Sequence, residues 1–175
     1  LILRFRNKKL TKKKINFMQL HIIAAMTTLR VIGKEGKLPW HLPEDMKLFR
    51  ELTTGNTVIM GKNTWISIPE KFRPLPNRTN IIVSSTLEEQ SRAIVCKNIP
   101  DAINEAKKIG KDTYFIGGAG IYKESLALAD VLHISWVKEN YEGDTLFPEI
   151  NFSKWIEVKS EEKTGFIYKK YERKK

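Results

Sequence analysis

The chain has 175 residues, 41% of them hydrophobic, which accommodates one globular domain with a sizeable core. No run reaches the roughly 18 consecutive apolar residues of a membrane span, and a single cysteine, Cys96, excludes an intrachain disulfide and a cysteine-rich zinc site. The net charge of +11 points to a polyanion partner, but seven basic side chains and no acid fall in residues 1–17, so the body is only mildly basic.

Residues 1–17 read as a basic N-terminal extension, disordered or lying upstream of a true start at Met18. Their charge would also suit weak binding to nucleic acid or anionic lipid. They lack the apolar centre of a signal peptide. After Met18 the expected elements alternate. Leu20–Ala25 is a short apolar strand, and residues 26–41 read as loop. Pro43–Thr54 is helical, with proline in the tolerated first turn and Gly55 as the stop. Thr57–Met60 is a strand, Lys62–Ile68 a short helix, and Pro69–Asn77, with three prolines, a loop. Asn80–Ser85 and Ala93–Cys96 are strands, and Asp101–Ile109 is a helix ending at Gly110. Thr113–Ile116 is a strand that runs into Gly117-Gly118-Ala119-Gly120 and a helix over Ile121–Ala129. Val131–Val137, Trp155–Lys159 and Phe166–Glu172 close the chain as strands. Helices interleaved with strands predict one α/β domain over residues 18–175, with a mainly parallel sheet and an antiparallel edge.

Ligands of open α/β sheets bind beyond the carboxyl ends of the strands. Four expected strands end there in small or polar residues: Ala24-Ala25, Gly61-Lys62, Ser84-Ser85 and Gly117-Gly118. Gly117–Gly120 before a helix suits a pyrophosphate, and it equally suits a tight strand-to-helix turn. Lys62, Asn63, Thr64, Ser84 and Ser85 suit a second phosphate, although each alone is an ordinary surface polar residue.

Asp45 opens the first helix and shares a face with Phe49 and Leu52. An acid on an apolar stripe costs free energy unless something pairs with it, as an amidine-like ligand would; the plainer reading is a helix cap. Glu44 points elsewhere on the helix, where it complements the helix dipole or pairs with Lys47. Arg73 and Arg78 flank Pro74-Leu75-Pro76-Asn77, a stiffened loop suited to carboxylate capture or merely carrying solvated charge. His21, His41 and His133 have no metal-ligand spacing. His133, on the same strand face as Ser135, reads as a satisfied structural histidine.

From Met18 onward the chain resembles bacterial dihydrofolate reductase. The resemblance is carried, in order, by Arg30–Gly33, Leu38-Pro39-Trp40 through Asp45, Val58–Trp65, Arg73–Arg78, Ile116–Ala119 and Glu142–Pro148. It implies an eight-stranded, mostly parallel mixed sheet with flanking helices. It implies reduction of 7,8-dihydrofolate by NADPH, with hydride passing to pterin C6 and a proton to N5. Asp45 matches the pterin-binding acid. Ile22, Phe49 and Ser135 match the pterin and benzoyl pocket, and Arg78, with Arg73 nearby, matches the clamp on the substrate glutamate. Ala25, Val31, Ile32, Gly33 and Lys37 match the nicotinamide side and its mobile loop, residues 31–41, which Asp144 would support. Lys62, Asn63, Thr64, Ser84, Ser85 and Lys97 match the adenosine-phosphate region. Gly117, Gly118, Ala119, Gly120, Ile121 and Tyr122 match the pyrophosphate turn. The resemblance further implies a cytoplasmic monomer with no membrane partner. Lys62 departs from a frequent arginine, Ser135 from a frequent threonine, and residues 1–17 have no counterpart.

A non-enzymatic reading, a basic nucleic-acid-binding protein, requires basic and aromatic residues interleaved on the folded domain. The sequence concentrates its excess charge in the extension instead.

Overall fold

The computed structural model describes residues 17–175. The reading of the basic extension falls almost wholly outside them. The strands are β1 (Leu20–Thr27), β2 (Val31–Gly33), β3 (Thr57–Gly61), β4 (Thr79–Val83), β5 (Ile94–Cys96), β6 (Thr113–Phe115), β7 (Val131–Val137), β8 (Thr145–Leu146), β9 (Trp155–Lys163) and β10 (Phe166–Arg173). The helices are α1 (Pro43–Thr53), α2 (Lys62–Ser67), α3 (Ile99–Ile109) and α4 (Ala119–Ser125).

Eight strands form one sheet in the order β5-β4-β3-β6-β1-β7-β10-β9. Pairing is parallel from β5 through β7 and antiparallel at β7-β10-β9. The expected α/β class, the mixed sheet and its antiparallel edge are therefore present. The central strand β1 is apolar on both faces because both are covered. Ile22, Ala24 and Met26 join Phe115, Leu132 and Ile134 in the core under α3 and α4. Ile23 turns the other way, toward Val58, Met60, Tyr114 and the α1 residues Phe49 and Leu52.

α3 begins two residues before the expected Asp101. The Asn98 side chain accepts the Asp101 N–H at 2.8 Å, an N-cap that sets the start ahead of Pro100. It ends at Gly110, whose φ of +71° is left-handed. α4 starts at Ala119, directly on the glycine turn, and stops at Ser125. β4 ends at Val83, so Ser84 and Ser85 lie in the turn beyond it.

The loop expected over residues 26–41 contains β2, which pairs antiparallel with β8 in a separate two-stranded sheet. Trp40 packs with Val31 and Val137 beneath it. This small sheet holds residues 31–41 over the carboxyl ends of β1 and β7.

Candidate active site

Asp45 lies in the first turn of α1, with Pro43 preceding it. Burial pushes its carboxyl above the usual range, and the Ser135 hydroxyl beside it pulls the other way. Ser135 is 4% exposed on β7 and pairs in register with Ala25 of β1. Neighbours in register project to one face, so Ala25, Ser135 and Asp45 share a site.

That register corrects the expectation for Ile22. Side chains alternate along a strand, so Ile22 points to the opposite face, where it is fully buried with Phe115 and Leu132. Ile23 is the isoleucine on the Asp45 side, packed toward Phe49. Glu44 lies in the first turn, where it complements the helix dipole, and its carboxylate also accepts the Thr164 hydroxyl at 2.5 Å, which holds it below the usual range. Lys47 faces Glu51 instead.

Phe49 leads from Asp45 to Arg78, whose guanidinium lies 5.8 Å from the ring centroid. Arg78 is half-buried. It donates to the Pro76 carbonyl at 2.9 Å and to Thr53 Oγ1 at 3.1 Å. Burial, and then the nearby Arg50 charge, lower its proton affinity. No carboxylate among the described residues forms an ion pair with it, so it is a fixed cation suited to an external anion. Arg73 does not join it. Its guanidinium sits over the Trp65 ring and donates to the Trp65 carbonyl at 3.5 Å.

The second half of the site is a strip of bare backbone. The Gly61 N–H donates to the Gly117 carbonyl at 2.8 Å, joining the ends of β3 and β6. A Cβ at Gly118 would stand 3.6 Å from Thr64 Oγ1, and one at Gly61 would stand 3.3 Å from Ile121 Cγ1. The φ of Gly117 is +112°, and a Cβ there would meet the Tyr122 ring. Ala119, Gly120 and Ile121 offer first-turn N–H groups without intrahelical acceptors. The Ile121 and Tyr122 side chains themselves are buried in the core. Tyr122 donates to the Ile23 carbonyl at 2.9 Å, and burial raises its proton affinity.

At the far end, Lys62 Nζ donates to Thr86 Oγ1 at 3.1 Å. Ser85 is exposed beside them. The Ser84 hydroxyl accepts the N–H groups of Thr86 and Leu87, so it closes its own turn. Thr86 was not anticipated; only its position after the two serines hinted at it. Asn63 and Lys97 are exposed.

Above the site, Val31 packs its side chain into the lid, against Trp40 and Val137, rather than into the open. Ile32 packs toward the sheet core. Lys34 and Lys37 exchange backbone hydrogen bonds at 2.8 and 3.0 Å and leave the Lys37 side chain exposed. Asp144 fastens this lid. Its carboxylate accepts the Glu35 N–H at 2.7 Å and the Thr145 hydroxyl at 2.7 Å, and both contacts lower its proton affinity. Its own N–H donates to the Gly33 carbonyl at 3.1 Å. Among the described residues there is no group of histidine, cysteine and acidic side chains suited to a metal ion, and no helix long and apolar enough to cross a membrane.

Comparison with known proteins agrees with this geometry. A family model described as dihydrofolate reductase matches residues 19–173. The chain is 38% identical over 160 residues to dihydrofolate reductase HdrB of Haloferax volcanii, covering 87% of this chain and 82% of that protein. It is 40% identical over 138 residues to the Haemophilus influenzae dihydrofolate reductase, covering 79% and 84%. Among solved structures, the Enterococcus faecalis dihydrofolate reductase complexed with NADP(H) and RAB-propyl superposes with a TM-score of 0.82 at 36% identity, over 91% of this chain and all of that one. A half-buried acid on α1, a glycine strip across two strand ends and a match spanning nearly the whole domain converge on one result: the chain belongs to the dihydrofolate reductase family.

Proposed function

We propose that this protein reduces 7,8-dihydrofolate to 5,6,7,8-tetrahydrofolate with NADPH, supplying the reduced carrier of one-carbon groups. The observation that carries the reading is Asp45: one half-buried carboxylate, faced by the buried Ser135 hydroxyl, at the mouth of the sheet. A fused ring bearing an amino group next to a ring N–H offers two donors to such a carboxylate. The exchange turns an uncompensated buried charge into a paired one.

Asp45 holds the pterin by those two hydrogen bonds and raises the proton affinity of the bound ring system. Water passing the site's mouth delivers the proton to N5. Phe49 and Ile23 wall the ring and the benzoyl group, and Arg78 takes the α-carboxylate of the glutamate through its free guanidinium edge. The Gly61–Gly117–Gly118 strip accommodates a pyrophosphate because its backbone carries no side chains; a Cβ at Gly61 or Gly117 would crowd Ile121 or Tyr122. Lys62, Ser85 and Thr86 would hold a 2′-phosphate. Bound NADPH supplies the hydride. Residues 31–41, held by Asp144, exclude water while the two rings face each other.

The direct test follows NADPH oxidation by its near-ultraviolet absorbance, with and without dihydrofolate. Substrate-dependent oxidation is expected. Its absence in folded protein removes the proposal.

A further inference from the structure

A polar chain crosses the buried face of the sheet, and the reaction makes no use of it. His21 Nδ1 and His133 Nε2 lie 3.1 Å apart, and His133 Nδ1 lies 2.8 Å from the Tyr168 hydroxyl. His21 Nε2 is buried without a hydrogen-bond partner among the described residues, and its nearest acid is Asp112, at 3.8 Å. The rings are packed as well as bonded. Tyr114 stacks on His21 at 4.5 Å, and His133 lies 5.3 Å from His21. His21, His133 and Tyr168 are 5%, 4% and 3% exposed.

The chain has one favourable polarity. With both imidazoles neutral, the Tyr168 O–H donates to His133 Nδ1, the His133 Nε2–H donates to His21 Nδ1, and the His21 Nε2–H points at the Asp112 carboxylate. The reverse order would aim a nitrogen lone pair at that carboxylate. Uptake of one proton from solvent by His21 leaves both of its nitrogens as donors. His133 must then accept at Nε2 and carry its own proton at Nδ1, directed at Tyr168. The Tyr168 O–H loses its acceptor in a buried setting, which costs free energy.

We propose that this chain is an acid-sensing latch, closed only while both imidazoles are neutral, that ties β1, β7 and β10 together beneath the active site. The location gives it an output: Tyr168 pairs in register with Ser135, and His133 precedes Ser135 by two on the same face. Loosening these strands disturbs the floor on which Asp45 rests.

The surroundings do not rescue the charged form. Burial, the largest influence, opposes a cation at His21; Asp112 favours it, Lys170 opposes it and Asp130 favours it, and the net effect is a lowered proton affinity. His133 faces burial, His21 and Lys170, all of which oppose its charging, and its value falls to about 3. Burial, and then Glu161 and Tyr114, keep the Tyr168 phenol protonated. Both histidines therefore bind protons less tightly folded than unfolded. Stability is full above the unfolded value of about 6.5 and declines as pH falls below it.

The test is urea unfolding of the whole chain at pH 7 and pH 5, for wild type and His133→Gln. Between those pH values the His133 contribution alone raises the wild-type unfolding constant about twenty-five-fold. The variant should lack that factor. An equal pH dependence in the two proteins overturns the proposal. Should the variant not fold, the His133 ring signals of the wild type decide by NMR: the ring stays neutral in the native state down to pH 5.5, and its titration above that pH overturns the latch.

Discussion

The Tyr122 hydroxyl donates to the Ile23 carbonyl at 2.9 Å across 99 residues of chain. Tyr122 follows the glycine turn at the end of β6, and Ile23 walls the side of the sheet on which Asp45 lies. One hydrogen bond thus fixes the distance between the two halves of the site. Burial, reinforced by the Asp45 charge, keeps the phenol protonated and donating. Tyr122→Phe leaves the Ile23 carbonyl buried without that partner. The expected loss is about 1–3 kcal/mol in urea unfolding, with a several-fold slower hydride-transfer step in single-turnover measurements. Unchanged stability and rate would show that the bond spaces nothing.

Asp45 should act in opposite directions on catalysis and on stability. Asp45→Asn removes the acid, and kcat/KM for dihydrofolate near neutral pH should fall by roughly two to four orders of magnitude. Burial raises the carboxyl's proton affinity in the fold, so the native state binds that proton more tightly than the unfolded chain. Ionising Asp45 therefore costs stability, and the cost grows as pH rises from the ordinary carboxylate range through the raised value. Asp45→Asn should be at least as stable as wild type at pH 7, with the difference closing near pH 4. Thermal unfolding at the two pH values checks the sign.

Lys62 and Thr86 should discriminate between dinucleotides. Their side chains meet at 3.1 Å beside the exposed Ser85, and a charged hydrogen bond to phosphate is worth about 1.5–3 kcal/mol. Lys62→Gln should lower kcat/KM for NADPH about ten- to a hundredfold and leave NADH nearly unaffected. Parallel losses with both would place the 2′-phosphate elsewhere.

Gly143 sets how closely the lid rests. A Cβ there would collide with Val31 Cγ1 and would stand 2.5 Å from the Gly33 carbonyl oxygen. Gly143→Ala should lift β2 from its support and slow hydride transfer about fivefold or more through misplacement of the lid. The Tm should fall as well, because Val31 and Trp40 of the lid pack on Val137 of β7. A rate equal to wild type would mean that the lid tolerates displacement.

Most of the site could be read from the sequence because strand ends and helix starts are punctuated by glycine, proline and small polar residues. Asp45, Arg78 and the Gly117–Gly118 turn sit at such marks, and Phe49 follows Asp45 by one helical turn. Ile22 and Ile23 could not be told apart, because Leu20–Ala25 is apolar throughout and a strand covered on both faces shows no alternation. β2 and β8 escaped because strands of three and two residues carry no periodicity. Thr164 on Glu44 spans 120 residues, and Trp65 under Arg73 depends on how the proline loop folds back. Contacts of that kind belong to tertiary packing, which local pattern does not encode.

Asp144 holds the lid by the Glu35 N–H and the Gly33 carbonyl, groups that every residue except proline provides in full. The grip is therefore indifferent to which side chains the lid tip displays. Lys37 is exposed there, so substitutions at it can accumulate while the grip persists. Glu35 has less freedom, because its φ of +50° is left-handed, and Lys34 pairs with Glu142 at 3.7 Å. Asp144, whose carboxylate accepts both the Glu35 N–H and the Thr145 hydroxyl, has none, and neither does the bare backbone of Gly143 beside it.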